Sequence, residues 1–346
     1  MVAWGRFTDN PTITTLESQQ YSVLDIPFPA VAICSNNKIS KSAADQYAQY
    51  LYVIINYENI LYIINFPRIA KQLLNPSIKL PGNLQTLVRY MGRMYDSDIE
   101  GMDEFVKFQD FLDTIDLNKT TGMFDAKEKL GMLAPKCKDL VVKCKWGGKT
   151  IDCNEIIETR RTIEGFCCTF NYVRPMEKNA VVKIARKPAG IGPEQGLTVL
   201  INLTSVDYHY PLKSFVGATV LIYDPSEFAD SCTGSVREVP MERNQELRIT
   251  TQVETKIAVP EVQRYSVQKR GCMFPNDLLD EYNGNYVFGD CLVKCKLKSV
   301  LALCKCIPYN SPVNFPDIDT SVIICSLAHM ECLNKYRCEF KSINTL

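Results

Sequence analysis

Five cysteines fall between positions 272 and 306, and their spacing limits what this chain can become. Cys291 and Cys295 are four apart, so a helix places both on one face, one turn apart. Cys304 and Cys306 are two apart, so extended backbone also points them the same way. Neighbouring half-cystines of this kind can staple a helix and a strand to a partner segment. The whole chain holds 15 cysteines, and their clustering points to disulfides formed in an oxidising compartment. The count is odd, so at least one cysteine has no partner within the chain. Zinc is the rival reading: it wants about four Cys or His ligands, commonly in pairs with a two-residue spacer. That spacer is absent, and His209 and His329 lie away from the cluster in sequence, although folding can bring distant ligands together. No Cys-x-x-Cys redox motif occurs. The reading adopted is disulfides, with no metal and no cofactor.

The chain has 346 residues, enough for one large or two ordinary domains. Lys plus Arg is 39 and Asp plus Glu is 39, so the electrostatic argument for a nucleic-acid partner is missing. No nucleophile motif or phosphate loop appears, which argues against an enzyme. The start, Met1-Val2-Ala3-Trp4-Gly5-Arg6, lacks the apolar core of a signal peptide. An extracellular cysteine pattern without an export signal is reconciled if the natural chain begins earlier. Residues 47–66 are largely apolar with a single charge, Glu58, but Gln49, Asn56, Asn59 and Asn65 interrupt them. A central charge costs about 2.5–3.5 kcal/mol on insertion scales, so a mostly buried helix is expected rather than a membrane span.

Local patterns give the remaining elements. Pro29 opens the short apolar run Val31-Ala32-Ile33-Cys34, a core strand, and 21–24 is read as another short strand. Ser40 is placed to cap a helix from Lys41, with Ala44, Tyr47, Ala48, Leu51 and Ile55 on one stripe. A second helix is expected over 102–117, with Phe105, Phe108, Leu112 and Ile115 on one face, and a third over 125–133. Cys144 and Cys153 flank Gly147-Gly148 and read as a hairpin closed by a disulfide. Residues 196–203 and 217–223 are β-rich, and 246–259 alternates Leu247, Ile249, Thr251, Val253, Thr255 and Ile257 as a long strand would. Asn118 and Asn202 head glycosylation sequons. The carboxylates Asp96, Asp98, Glu100, Asp103, Glu104 and Asp277, Asp280, Glu281 are read as solvated faces; proton or calcium sensing is the sharper alternative.

Three motifs carry a family likeness. Phe28-Pro29-Ala30-Val31-Ala32-Ile33-Cys34-Ser35-Asn36-Asn37 resembles, almost letter for letter, the first extracellular strand of the degenerin/epithelial sodium channel family. Gly165-Phe166-Cys167-Cys168-Thr169-Phe170-Asn171 resembles that family's Gly-x-Cys-x-Thr-Phe-Asn strand, with Cys167 added. Cys272, the run from Tyr286 through Cys291 to Cys295, and Cys304-Lys305-Cys306-Ile307-Pro308 resemble its thumb. The doublet at 167–168 and the run from Tyr265 to Cys272 favour the insect pickpocket and Nach-like branch. Lys269 is a departure, because acid-sensing members carry a Trp there.

The resemblance implies an α+β fold: a disulfide-rich, hand-like ectodomain with a β-rich palm and helical finger and thumb. Its layout would be residues 1–25 as the end of the first membrane region, 26–40 as the first palm strand and 41–135 as the finger. Residues 136–268 would be palm with the disulfide hairpin, and 269–346 a thumb that stops before the last palm strands and second membrane helix. The family's order implies the pairs Cys34–Cys168, Cys144–Cys153, Cys304–Cys332 and Cys306–Cys325, with Cys137 left for Cys167. Cys272, Cys291 and Cys295 would be unpaired, Cys338 would join them, and Cys232 has no place. The implied function is the extracellular part of a subunit of a sodium-selective, amiloride-sensitive, ligand- or force-gated channel in the plasma membrane, passing sodium ions and assembled as a homo- or heterotrimer. The alternative is a secreted or surface disulfide-rich binding module without a pore.

Overall fold

Strand β1, Ala30–Ser35, is the centre of a five-stranded antiparallel sheet of order β4-β5-β1-β7-β8. The other members are β4 (Ile157–Thr162), β5 (Gly165–Phe170), β7 (Gly217–Tyr223) and β8 (Arg237–Glu242). In this computed structural model the described residues are 12, 14–16, 21–65, 84–95, 102–115, 124–175, 183–203, 205–274, 277, 287–312 and 323–336, with only the backbone described at 54–65, 84–85, 102–104 and 114–115. Among the described residues the architecture is mixed helix and sheet with five disulfides.

The run that reads as a core strand is buried on both sides. Ala30, Ala32 and Cys34 face one apolar cluster, with Leu221, Tyr223, Phe228, Val293 and Leu297. Ile33 faces the opposite cluster, with Phe170, Cys168 and Ala218 and with residues of a second sheet. That sheet is three-stranded, of order β3-β2-β6, from β2 (Val141–Trp146), β3 (Lys149–Ile151) and β6 (Leu197–Ile201). Gly147 and Gly148 both take positive φ between β2 and β3, which glycine adopts at no steric cost. A third cluster is helical. It joins α1 (Lys41–Asn65), α2 (Leu84–Tyr90), α3 (Met102–Ile115) and α4 (Ala126–Leu133) through Ala44, Tyr47, Leu51, Leu87, Phe108 and Leu130.

The Ser40 cap is where the sequence puts it, and Asp125 adds a second. The Ser40 hydroxyl accepts from the Ala43 amide at 3.2 Å, and the Asp125 carboxylate accepts from the Glu128 amide at 3.0 Å. No helix among the described residues is long and apolar enough to cross a membrane. Three expectations need correction or lie elsewhere. Residues 21–24 do not form a strand: the Ser22 hydroxyl accepts from the Leu24 amide and closes a 3-10 turn, Val23–Asp25. The alternating stretch 246–259 pairs with no strand among the described residues and stays exposed. Residues 116–117, the side chains of Ile55 and Ile115, and Trp4 lie outside what is described.

The disulfides correct the expected pairing at the doublet. Cys34 bonds Cys167 with Cα atoms 4.5 Å apart, and Cys137 bonds Cys168 at 5.4 Å. The expected pairs were Cys34–Cys168 and Cys137–Cys167. The reason is the strand alternation: successive β5 side chains point to opposite faces. The β1–β5 register sets Ile33 opposite Cys168, so the next residue, Cys34, stands across from Cys167. Cys34 and Cys167 share one cluster, whereas Cys168 turns to the other face, where Cys137 waits at the start of a single helical turn, Cys137–Leu140. The remaining bridges, Cys144–Cys153, Cys304–Cys332 and Cys306–Cys325, join the residues that the resemblance pairs, with Cα separations of 5.3, 5.7 and 4.9 Å.

Two measurements check this arrangement. In the unreduced, unfolded chain, Cys167→Ser should expose Cys34 to alkylation and Cys168→Ser should expose Cys137; the reverse assignment contradicts the register. Leu51 is fully buried and Tyr52 is 61% exposed. Leu51→Ala should therefore cost about 2–5 kcal/mol in denaturant unfolding, while Tyr52→Ala stays within about 0.5.

Candidate functional site: the docked helix and its staples

Helix α5, Phe288–Cys304, carries the stripe Gly289, Val293, Leu297, Val300 and Cys304, which is its buried face. The spacing of three and four residues is that of one side of a helix. Val293 and Leu297 pack against Ala32, Leu221, Tyr223 and Phe228, so the helix rests directly on the face of the sheet that holds Cys34.

Charge fixes its first turn. Asp290, 3% exposed, accepts from the Arg174 guanidinium, itself 4% exposed and supplied by the segment after β5. Burial pushes the Asp290 carboxyl above the ordinary carboxylate range, against the pull of Arg174. Glu227 lies beside the pair, its carboxylate about where a Cβ on Gly289 would make van der Waals contact, 3.5 Å away. One Glu227 oxygen is buried without a hydrogen bond, and burial raises its pKa. Lower on the helix, Lys296 reaches Asp230 at 2.8 Å. Arg160 from β4 lies over the Tyr172 ring at 4.9 Å, and burial pushes the Tyr172 hydroxyl up to about 12.

The far end of the helix is stapled. Lys305 adopts the left-handed conformation at φ 57° and ends α5, which turns Cys304 and Cys306 toward their bridges. Cys304 reaches Cys332 on α6 (Met330–Lys335), and Cys306 reaches Cys325. Ile307 and Ile324 form a parallel bridge between the two segments. This unit is then tied elsewhere. Arg161 donates to the Tyr309 carbonyl at 2.9 Å, and the Leu327 amide donates to the Gln109 side chain of α3 at 3.1 Å.

The other predicted site residues are distributed as follows. Cys272, Cys291 and Cys295 are exposed free thiols, and Cys232 is a half-buried one whose pKa burial raises. Cys291 and Cys295 share the outer face of α5, opposite the buried stripe. Asn202 is exposed at the end of β6. Cys338, Asn118, Asp96, Asp98, Glu100, Asp280 and Glu281 lie outside the described residues, as do the side chains of Asp103 and Glu104. Asp277 accepts from Arg270, which holds its carboxyl below the usual range. Among the described residues no group of His, Cys, Asp and Glu is placed to hold a metal. Arg174, Glu227 and Asp290 were missed in the sequence. An aspartate in a first helical turn reads as a solvated helix acid, and nothing local links it to an arginine 116 positions away.

The family model described as amiloride-sensitive sodium channel matches residues 1–345. The chain is 23% identical over 327 residues to the sodium channel protein Nach of Drosophila ananassae, covering 94% of the chain and 56% of that relative. It is 23% identical over 244 residues to pickpocket protein 28 of Drosophila melanogaster, covering 61% and 39%. It is 26% identical over 180 residues to the epithelial sodium channel subunit gamma of Neoceratodus forsteri, covering 51% and 25%. The chain thus spans a little over half the length of its Nach relative.

Two predictions follow the dock's electrostatics. Arg174→Ala strands Asp290 as a buried charge and should cost about 3–5 kcal/mol of stability. Glu227 binds its proton more tightly folded than unfolded, so its ionised form weakens the fold. Stability of the parent should then fall, relative to Glu227→Gln, as pH rises from the ordinary carboxylate value through the raised folded value, and the gap should stay constant above it. A gap that widens on acidification contradicts the assignment. By the span of the family match, the chain belongs to the amiloride-sensitive sodium channel family.

Proposed function

We propose that this chain is the extracellular part of a subunit of a sodium-selective, amiloride-blocked channel in the plasma membrane. The observation that carries the reading is the family match along residues 1–345. Within it, residues 26–40 would be the first palm strand, 41–135 the finger, 136–268 the palm with its disulfide hairpin, and 269–346 the thumb. Subunits would assemble as a homo- or heterotrimer, with Asn118 and Asn202 carrying glycans on the outer surface.

The α5 dock gives this reading a physical route. A stimulus shifts a closed–open equilibrium only by the difference in its affinity for the two states. Cys304–Cys332 and Cys306–Cys325 hold the end of α5 and α6 together, so force or ligand on that unit moves it as one body. The buried Arg174–Asp290 pair and the Val293–Leu297 contacts would deliver the motion to β1 and β7 at the sheet's centre.

The test is voltage clamp of oocytes expressing these residues within a protein of its relatives' full length, alone and with related subunits. The expected result is an inward sodium current blocked by amiloride. Surface delivery without any amiloride-sensitive current, in every subunit combination, overturns the reading.

A further inference from the structure

The tip of the β4–β5 hairpin is held by three parts of the fold. The strands register Thr162 opposite Gly165, so only Ile163 and Glu164 form the tip. Gly165 takes φ 94°, and a Cβ there would collide with the Tyr95 ring and lie 3.1 Å from the Tyr309 hydroxyl. Tyr95 ends a 3-10 turn, Met91–Tyr95, and packs against the helical cluster. Tyr309 follows the Cys306 staple, and its ring meets Tyr95 edge-on at 5.5 Å. The same segment grips the hairpin by polar contacts. The Asn310 side-chain amide donates to the Ile163 carbonyl at 2.9 Å, and Arg161 donates to the Tyr309 carbonyl at 2.9 Å. From the segment after β1, Lys38 reaches Glu164 at 3.1 Å and lies 6.0 Å from the centre of the Tyr95 ring. Gly165, Tyr309 and Lys38 are themselves buried, so the junction is made inside the fold.

We propose that this tip is a mechanical coupler: through it the stapled α5–α6 unit sets the position of the 91–95 turn of the helical cluster, and Glu164 is the positioning residue that keeps the tip seated. The ground is steric. A two-residue tip whose glycine is pressed under two tyrosines cannot bend independently of its strands. Close-packed contacts of this kind shift as a block rather than deform continuously. A displacement of 309–311 pulls the Ile163 carbonyl and the Arg161 guanidinium with it, and the Tyr95 ring has no room over Gly165 to stay behind. The Lys38–Glu164 pair anchors the tip to the chain that leaves β1. Burial lowers the Lys38 pKa against the pull of Glu164, so a buried cation is stranded once Glu164 loses its charge. The coupling needs no ion flow, so the isolated chain reports it.

The test is hydrogen–deuterium exchange on the oxidised 346-residue chain, read at 91–95, with the β2–β3 hairpin as the control. Asn310→Ala removes one grip on the tip. It should speed exchange at 91–95 about fivefold and leave the control hairpin unchanged. In a Glu164→Gln background, where the tip is unseated, Asn310→Ala should have no further effect at 91–95. Ile163→Gly slackens the tip at a residue that is 38% exposed, and it should cancel the Asn310 effect in the same way even where Glu164→Gln folds poorly. A Glu164 that merely stabilised the fold would, on removal, speed exchange everywhere and leave the Asn310 effect intact. Two results overturn the proposal. One is no change at 91–95 in Asn310→Ala. The other is a change that survives in either background, because it would then travel by the direct Tyr95–Tyr309 contact and not by the tip.

Discussion

The rest of the fold depends on β1 being buried on both faces. A strand whose odd and even side chains enter different cores couples those cores through its own backbone. Ala32 and Cys34 sit under α5, while Ile33 sits under the second sheet. The adjacent cysteines of β5 make that coupling covalent, because one bridge leaves each face of the sheet. Cys167 closes onto β1 itself, and Cys168 closes onto the segment that leads into β2. A loop of 133 residues closed by Cys34–Cys167 removes unfolded-chain entropy worth up to about 5 kcal/mol in the chain-entropy account.

Against this frame, α5 is held by two kinds of force. Apolar burial at Val293 and Leu297 gives non-directional adhesion. The Arg174–Asp290 pair adds direction at a desolvation cost, so its value lies in fixing where the first turn of the helix sits. Glu227 adds strain to the same point, since an acid with a buried, unbonded oxygen favours its neutral form. A dock of this composition is firm but poised: the contacts that seat it are opposed by charges that burial disfavours.

Much of this was legible in the sequence because the signals are local. The apolar run 31–34, the stripe from Ala44 to Leu51, the Ser40 cap and the paired glycines at 147–148 each carry their own periodicity or turn chemistry. What failed was non-local. Motif order alone does not distinguish Cys167 from Cys168; only the register against β1 decides which face each one takes. The alternation at 246–259 is real, but alternation gives a strand only where a neighbour completes the ladder. The Arg174–Asp290 contact joins distant segments whose meeting follows from the way α5 packs on the sheet, so no window of sequence contains it.

The central claim is that β1 is the member through which both cores are joined. Hydrogen–deuterium exchange on the oxidised chain, read strand by strand, tests it most directly, because amides that open only with the whole fold exchange slowest. The account predicts that β1, β5 and β7 exchange together as the slowest unit, well behind the β2–β3 hairpin. Exchange in β1 as fast as in that hairpin would contradict it.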